Sequence, residues 1–185
     1  MSRPATPLPL VPAATQFPLS VSPDRRRLLD PTGRPVLLQG DAAWSLIANT
    51  TIDEATRYLD ERRALGFNTI MVSVIEYLFS ADPPRNLAGA EPFLTPGDFR
   101  TPNPAYMDHV ERVLQLIADR GFLVLLAPAY LGYPNPHYPG FGNRAVPGIA
   151  PHEHAHHMRD TFGGNLAQIL GKIGTAIVGP GNNFI

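Results

Sequence analysis

Cysteine is absent from the 185-residue sequence, which excludes disulfide bonds and thiol chemistry. An excess of either charge is also absent, because 15 Lys and Arg residues nearly balance 16 Asp and Glu residues. Nucleic-acid binding usually needs a positive surface that contacts the phosphates. We therefore expect no nucleic-acid partner.

Long hydrophobic runs are absent as well, since no stretch approaches the roughly 20 apolar residues of a membrane-spanning helix. Four prolines interrupt the first twelve residues, so a signal-peptide core is not recognisable there. We predict a disordered lead-in over residues 1–16, a single domain over residues 17–185 and no membrane partner. A cytoplasmic location is the default expectation, and the sequence leaves secretion open.

Proline and glycine are plentiful, with 21 and 16 residues, and they separate dense apolar segments. Residues 19–22 and 28–29 flank a charged run, and residues 30–34 carry a turn signal. This pattern predicts a short β-hairpin. Residues 35–40 are predicted to follow as a buried strand.

Helix signals and apolar runs then alternate along the chain. Thr51 and Glu54 form a capping box, which predicts a helix to about Leu65 with its stop at Gly66. The spacing of its apolar residues predicts one buried face made of Ala55, Tyr58, Leu59 and Leu65. A strand is predicted over residues 67–74. The long Pro- and Gly-rich loop over residues 80–102 is of a kind that is usually functional or disordered.

The second half continues the alternation. Asn103 and Pro104 are typical of a helix start, and Gly121 is typical of a stop. A buried stripe is predicted on this helix, made of Met107, Val110, Val113, Leu114 and Ile117. Residues 122–127 read as a strand buried on both faces. A third helix is predicted from residue 152 to about residue 170, and a last strand over residues 175–178. The order strand, helix, strand favours a parallel α/β sheet.

The first strand ends at Gly40 and is followed by Asp41 and Trp44 instead of the Gly-rich turn of a dinucleotide-binding sheet, so no cofactor is predicted. The pattern favours a partial (β/α)8 TIM barrel of about four βα units after the hairpin. Barrel chemistry lies at the carboxyl ends of the strands. There the sequence places Asp41, Trp44, Glu76, Tyr77, Tyr130, Tyr133, His137, Asn182 and Asn183.

Acids, amides and aromatic rings at one rim are typical of carbohydrate binding. Asp41 is predicted to accept a sugar hydroxyl or, alternatively, to cap a turn, and Trp44 is either a stacking platform or a core residue. Glu76 is predicted to face the substrate or to pair with Arg85, and it is a weak catalytic candidate. Rim contacts are predicted for Tyr130, Tyr133 and His137.

Residues 152–157 contain four histidines and a glutamate, which raises the alternative of a metal-binding protein. No HExxH order and no distant third ligand accompany this cluster. We therefore predict that no metal is bound and interpret the cluster as a solvated helix start.

Four segments together resemble motifs of the apiosidase-like glycoside hydrolase family. They are residues 40–46 (GDAAWSL), 58–68 (YLDERRALGFN), 90–93 (AEPF) and 103–110 (NPAYMDHV). The similarity runs from residue 17 to about residue 135. It implies a TIM barrel that hydrolyses a glycosidic bond to apiose in plant pectin with two carboxylates.

The end of the chain departs from that family pattern. Asn182 stands where the resemblance places the aspartate acid/base, and an amide does not exchange protons at neutral pH. The family's nucleophile glutamate would lie further along. We expect a truncated, catalytically incomplete domain, with a non-catalytic carbohydrate-binding remnant as the alternative. Open sheet edges also predict a homo-oligomer or an aggregation-prone monomer.

Overall fold

A computed structural model describes residues 16–95, 98, 100–129 and 176–178, the last stretch as backbone alone. An antiparallel sheet contains, in order, β1 (Ser20–Val21), β2 (Leu28–Leu29) and β3 (Pro35–Val36). A parallel sheet contains, in order, β4 (Gly40–Ala42), β5 (Thr69–Ile75), β6 (Leu123–Ala129) and β7 (Ala176–Val178). The helices are α1 (Leu46–Asn49), α2 (Ile52–Ala64) and α3 (Pro104–Asp119).

The predicted hairpin is present and gains a third strand, but the single buried strand over residues 35–40 is wrong. Its first two residues pair with β2, whereas Gly40 opens the first strand of the parallel sheet. Leu37 between them is 81% exposed. The Asn68 side chain holds this link, donating to the Leu37 carbonyl at 2.7 Å and accepting from the Gln39 N–H at 2.8 Å.

The predicted helix starts at Thr51 and Asn103 are confirmed. Thr51 Oγ1 accepts from the Glu54 N–H, and Glu54 Oε2 accepts from the Thr51 N–H, which is the reciprocal bonding of a capping box. Asn103 Oδ1 accepts from the Ala105 N–H at 3.1 Å and begins α3. Leu65 was expected on the buried face of α2. It is 66% exposed, because it stands past the last helical turn as the C-cap.

The core lies between the parallel sheet and the two long helices. Ile70, Val72 and Val74 alternate along β5 onto the helix-covered face, where they pack against α2 and α3. Burying each such side chain contributes about 1.5–3 kcal/mol. α3 adds the buried stripe Tyr106, Met107, Val110, Val113, Leu114 and Ile117, of which all but Tyr106 were predicted. The Tyr106 hydroxyl donates to the Val74 carbonyl at 2.7 Å.

The predicted fold class is confirmed: the structure is an α/β fold with part of a barrel-type parallel sheet after a small antiparallel sheet. The last strand lies at Ala176–Val178, close to the predicted range, and α1 was not predicted. The predicted lead-in over residues 1–16 and the helix over 152–170 lie outside the described residues, apart from residue 16. Among the helices described, none has the length and apolar character needed to cross a bilayer.

Candidate functional site

A cavity of about 480 Å³ opens beside the carboxyl end of β4. It is bounded by β4, by α1, by one side of α2 and by the connection between β5 and α3. We call it the Trp44 pocket. Its lining residues are Asp41, Ala42, Ala43, Trp44, Ser45, Leu46, Asn49, Thr50, Tyr58, Arg62 and Phe79. The pocket therefore combines aromatic rings with carboxylate, amide, hydroxyl and guanidinium groups.

Asp41 lies within β4 and pairs in register with Ile70, which places its side chain on the helix-covered face. Its carboxylate accepts from the Tyr58 hydroxyl at 2.8 Å and forms a hydrogen-bonded ion pair with Arg62. Tyr58 and Arg62 are one turn apart on α2, so both side chains reach the same strand. The Arg62 guanidinium also lies 4.5 Å from the centre of the Tyr58 ring.

These contacts set the charge of the cluster. Burial raises the pKa of Asp41, but hydrogen bonds from Arg62 and Tyr58 outweigh it and bring that pKa below its ordinary value. Burial, with the hydrogen bond to Asp41, raises the pKa of Tyr58 to about 12. At neutral pH Asp41 is therefore an anion that accepts hydrogen bonds, and Tyr58 is a neutral donor. A sugar-hydroxyl role for Asp41 stays a prediction.

Trp44, the one tryptophan in the sequence, is half-buried at the wall of the pocket. Its carbonyl accepts from the Ser73 N–H at 3.1 Å, which fastens the turn after β4 to the neighbouring strand. Trp44 therefore has a fixed backbone and a side chain that borders open space. This position permits stacking on a sugar ring, and that role stays a prediction.

Asn49 and Phe79 are pocket residues that the sequence did not single out. The Asn49 amide donates to the Phe79 carbonyl at 2.8 Å, and its oxygen accepts from the Ala81 N–H at 3.2 Å. Ser45 Oγ donates to the same Phe79 carbonyl at 2.9 Å. Phe79 is 56% exposed. An aromatic residue at the start of a Pro- and Gly-rich loop was the available signal for Phe79, and Asn49 had no signal because α1 was not foreseen.

Glu76 follows the last residue of β5 and is 1% exposed. Its Oε1 accepts three backbone N–H groups, from Tyr77 and Leu78 at 2.9 Å and from Phe79 at 3.2 Å. Its Oε2 has no hydrogen-bond partner within the described part of the chain. Pairing with Arg85, one of the two predicted alternatives, is wrong.

Arg85 instead contacts Glu91 at 2.8 Å and Asp82 at 3.3 Å. Its guanidinium thus bridges two points of the β5–α3 connection. The same connection is tied to α1 by the Leu87 N–H, which donates to the Ala48 carbonyl at 2.8 Å. Where it is described, this long loop therefore has a defined conformation.

The structure thus brings Asp41 and Trp44 into one pocket, while Glu76 lies buried beneath the adjacent loop. Tyr77 is half-buried and packs against the hydrophobic core. The other predicted rim residues, Tyr130, Tyr133, His137, Asn182 and Asn183, and the histidine cluster at 152–157 lie outside the described residues. Within the described ranges, no three His, Asp or Glu side chains are close enough to hold a metal ion.

Solved structures similar to this one are glycoside hydrolases. A family 5 glycoside hydrolase from Bacteroides vulgatus ATCC 8482 has a TM-score of 0.65 at 21% identity over 86% of this chain and 32% of its own. Another glycoside hydrolase has a TM-score of 0.65 at 22% identity over 86% of this chain and 33% of its own.

A third similar structure is a putative glycoside hydrolase from the same Bacteroides strain. It has a TM-score of 0.60 at 17% identity over 92% of this chain and 32% of its own. At these identities the likeness shows the fold. The chain spans about a third of the length of these proteins.

No curated protein matches the sequence. The family described as "Apiosidase-like, catalytic domain" matches residues 22–169, which include β4, α2, α3 and the segments that carried the resemblance. The matched range takes in most of the chain. The chain therefore belongs to the apiosidase-like catalytic domain family.

Proposed function

We propose that this chain forms part of a glycoside hydrolase-type domain and binds plant cell-wall oligosaccharides at the Trp44 pocket. The observation that carries the proposal is the pocket itself, which joins Asp41 and Trp44 with Phe79 and Asn49. The fold and the family membership supply the class of ligand. The name of the family points to glycosides that contain apiose.

The lining suits a saccharide for chemical reasons. Aromatic faces pack against the C–H surface of a sugar ring, and Trp44 and Phe79 both line the cavity. Sugar hydroxyls need both acceptors and donors. Asp41 supplies ionised oxygens, Ser45 supplies a hydroxyl oxygen that can accept while it donates to Phe79, and Arg62 supplies guanidinium donors at the same surface.

For this chain by itself we propose binding without turnover. Glycoside hydrolysis needs one carboxylic acid that transfers a proton and a second carboxylate that acts on the sugar. Asp41 is paired with Arg62, and Glu76 is buried with three N–H groups on one oxygen. Arg62 keeps Asp41 ionised, burial keeps Glu76 out of the pocket, and Asn182 carries an amide where the resemblance places an acid.

Tryptophan fluorescence tests the binding step directly, because Trp44 is the one indole in the chain. Titration with apiose-containing pectic oligosaccharides is expected to change Trp44 emission saturably. Arg62→Ala should weaken the response, while Asp119→Ala, a carboxylate loss at the far end of α3, should not. A flat titration for the unaltered protein would defeat the proposal.

Reducing-sugar release from the same oligosaccharides tests the absence of turnover. We expect no release above the background of the substrate alone. Hydrolysis that Glu76→Gln abolishes would overturn this part of the proposal and assign Glu76 to the reaction. Hydrolysis that survives Glu76→Gln would also overturn it and direct attention to another carboxylate.

A further inference from the structure

We infer that Glu76 is a positioning residue, which fixes the loop at Phe79 as one wall of the Trp44 pocket without touching the ligand. The inference rests on the proposed function, since it assigns a role at the same pocket. It differs from the substrate contact that the position of Glu76 at a strand end suggested. Two independent anchors support it, one at each side of the Phe79 backbone.

The first anchor is Glu76 itself. Three consecutive N–H groups, those of Tyr77, Leu78 and Phe79, converge on its Oε1 at 2.9, 2.9 and 3.2 Å. Such convergence requires the backbone to curl around the oxygen, so it defines the conformation of all three residues. A side-chain carboxyl oxygen suits this task, because it can accept more than one hydrogen bond.

The second anchor lies on and just before α1. Asn49 and Ser45 both donate to the Phe79 carbonyl, at 2.8 and 2.9 Å. The Asn49 oxygen then accepts from the Ala81 N–H at 3.2 Å. The backbone of Phe79 is thus held at its N–H by the end of β5 and at its carbonyl by the α1 region.

Glu76 acts at a distance from any ligand in the pocket. It is 1% exposed and absent from the pocket lining, whereas Phe79 and Asn49 both line the cavity. A change at Glu76 can therefore reach the pocket only through the loop. Within the described residues Oε2 has no hydrogen-bond partner, so the anchoring of the loop is carried by Oε1.

Acrylamide quenching of Trp44 fluorescence tests the role without any ligand. Releasing the Phe79 wall should open the pocket, so Glu76→Ala and Asn49→Ala should each raise the quenching constant about twofold or more, as expected when a local segment opens. Glu76→Gln keeps an oxygen acceptor and should stay near the unaltered value. Asp119→Ala is the matched control. The Asp119 carboxylate contacts Gln115 near the carboxyl end of α3, outside the pocket lining, so its loss should not change the quenching constant.

Ligand binding supplies the second readout. In the titration with apiose-containing pectic oligosaccharides, Glu76→Ala should lose up to about tenfold in affinity, the scale of one displaced aromatic contact, and Glu76→Gln should retain affinity. If Trp44 quenching responds as expected but the unaltered protein binds no saccharide, the proposed function fails and the positioning role stands. If a folded Glu76→Ala variant shows unchanged quenching, the positioning role is overturned whatever the binding result.

Hydrogen exchange of the unaltered protein covers the case in which Glu76→Ala does not fold. The N–H groups of Tyr77, Leu78 and Phe79 should exchange slowly, because each is bonded to a buried oxygen. The same protection should persist in Glu76→Gln. Exchange at the rate of an unstructured peptide at these three positions would overturn the inference.

Discussion

Single carboxylates organise this fold at three places, and each does so by collecting hydrogen bonds from its surroundings. Asp41 joins β4 to α2, and Glu76 gathers the loop after β5. Asp30 shapes the turn between β2 and β3. The shared principle is that donors gather around a carboxyl oxygen that is removed from water, so the position of that oxygen dictates the local backbone.

Asp30 gives the clearest pH dependence. Its oxygens accept from the Thr32 hydroxyl at 2.6 Å and from the Arg34 N–H at 3.0 Å, with an Arg34 ion pair at 2.8 Å. The Thr32 hydrogen bond first, and then those from Arg34, lower the pKa of Asp30 to about 2. The unfolded value is about 3.9, so the folded state gains stability above that pH and loses it as the pH falls toward 2.

Melting temperatures recorded between pH 6 and pH 2 check this dependence. The difference between the unaltered protein and Asp30→Asn should be full near pH 6 and should shrink as the pH falls below about 4 toward 2. Thr32→Val keeps the carboxylate but removes the hydrogen bond that lowers its pKa most, so its pH-dependent loss of stability should be smaller and should end at a higher pH. Parallel curves for all three proteins would contradict the assignment.

At the scale of elements, α2 connects the start of the fold to the candidate site. Its capping box fixes where the helix begins, and its Tyr58 and Arg62 then meet Asp41 on β4. Buried Ala55 and Leu59 attach the same helix to the core. The helix start therefore influences the geometry of the Trp44 pocket.

Thr51→Ala is expected to destabilise the protein by about 1 kcal/mol, because it removes the hydroxyl that accepts the Glu54 N–H. Urea unfolding followed by circular dichroism measures this loss. Thr56→Ala makes the same chemical change inside α2. It should be neutral or stabilising, since Ala has the higher helix propensity. Equal losses of unfolding free energy at both positions would show that the capping hydrogen bond does not stabilise the protein.

Local signals were predictable from the sequence, and contacts between distant segments were not. The caps at Thr51 and Asn103 depend on neighbours within three residues, so their residue types sufficed. The break at Leu37 depends on Asn68, about thirty positions away. The role of Glu76 depends on a loop conformation that no periodic pattern encodes, and Phe79 joins the pocket only because that loop folds back onto α1.

At the scale of the molecule, the described helices lie on one face of the parallel sheet, and β4 and β7 are the outer strands of its described part. Among the described residues β4 pairs only with β5, and β7 pairs only with β6. The opposite face of the sheet carries Thr69, Met71 and Ser73, and the Ser73 hydroxyl has no partner within the described ranges. Unpaired strand edges of this kind are templates for further strand pairing.

We therefore predict concentration-dependent self-association through the β4 edge. Light scattering of the purified chain over a hundredfold dilution series, roughly the span that resolves weak assembly, should show the mean mass falling on dilution.

Ala42 is an exposed residue of β4, and a lysine there would place a charge at the edge. Ala42→Lys should shift the population toward monomer, whereas Ala64→Lys, an equal charge at the exposed end of α2, should not. A sharp monomer peak from the unaltered protein at its highest concentration would refute the prediction. If both lysines reduced the association equally, the added net charge alone would explain the effect, and the β4 edge would not be the interface.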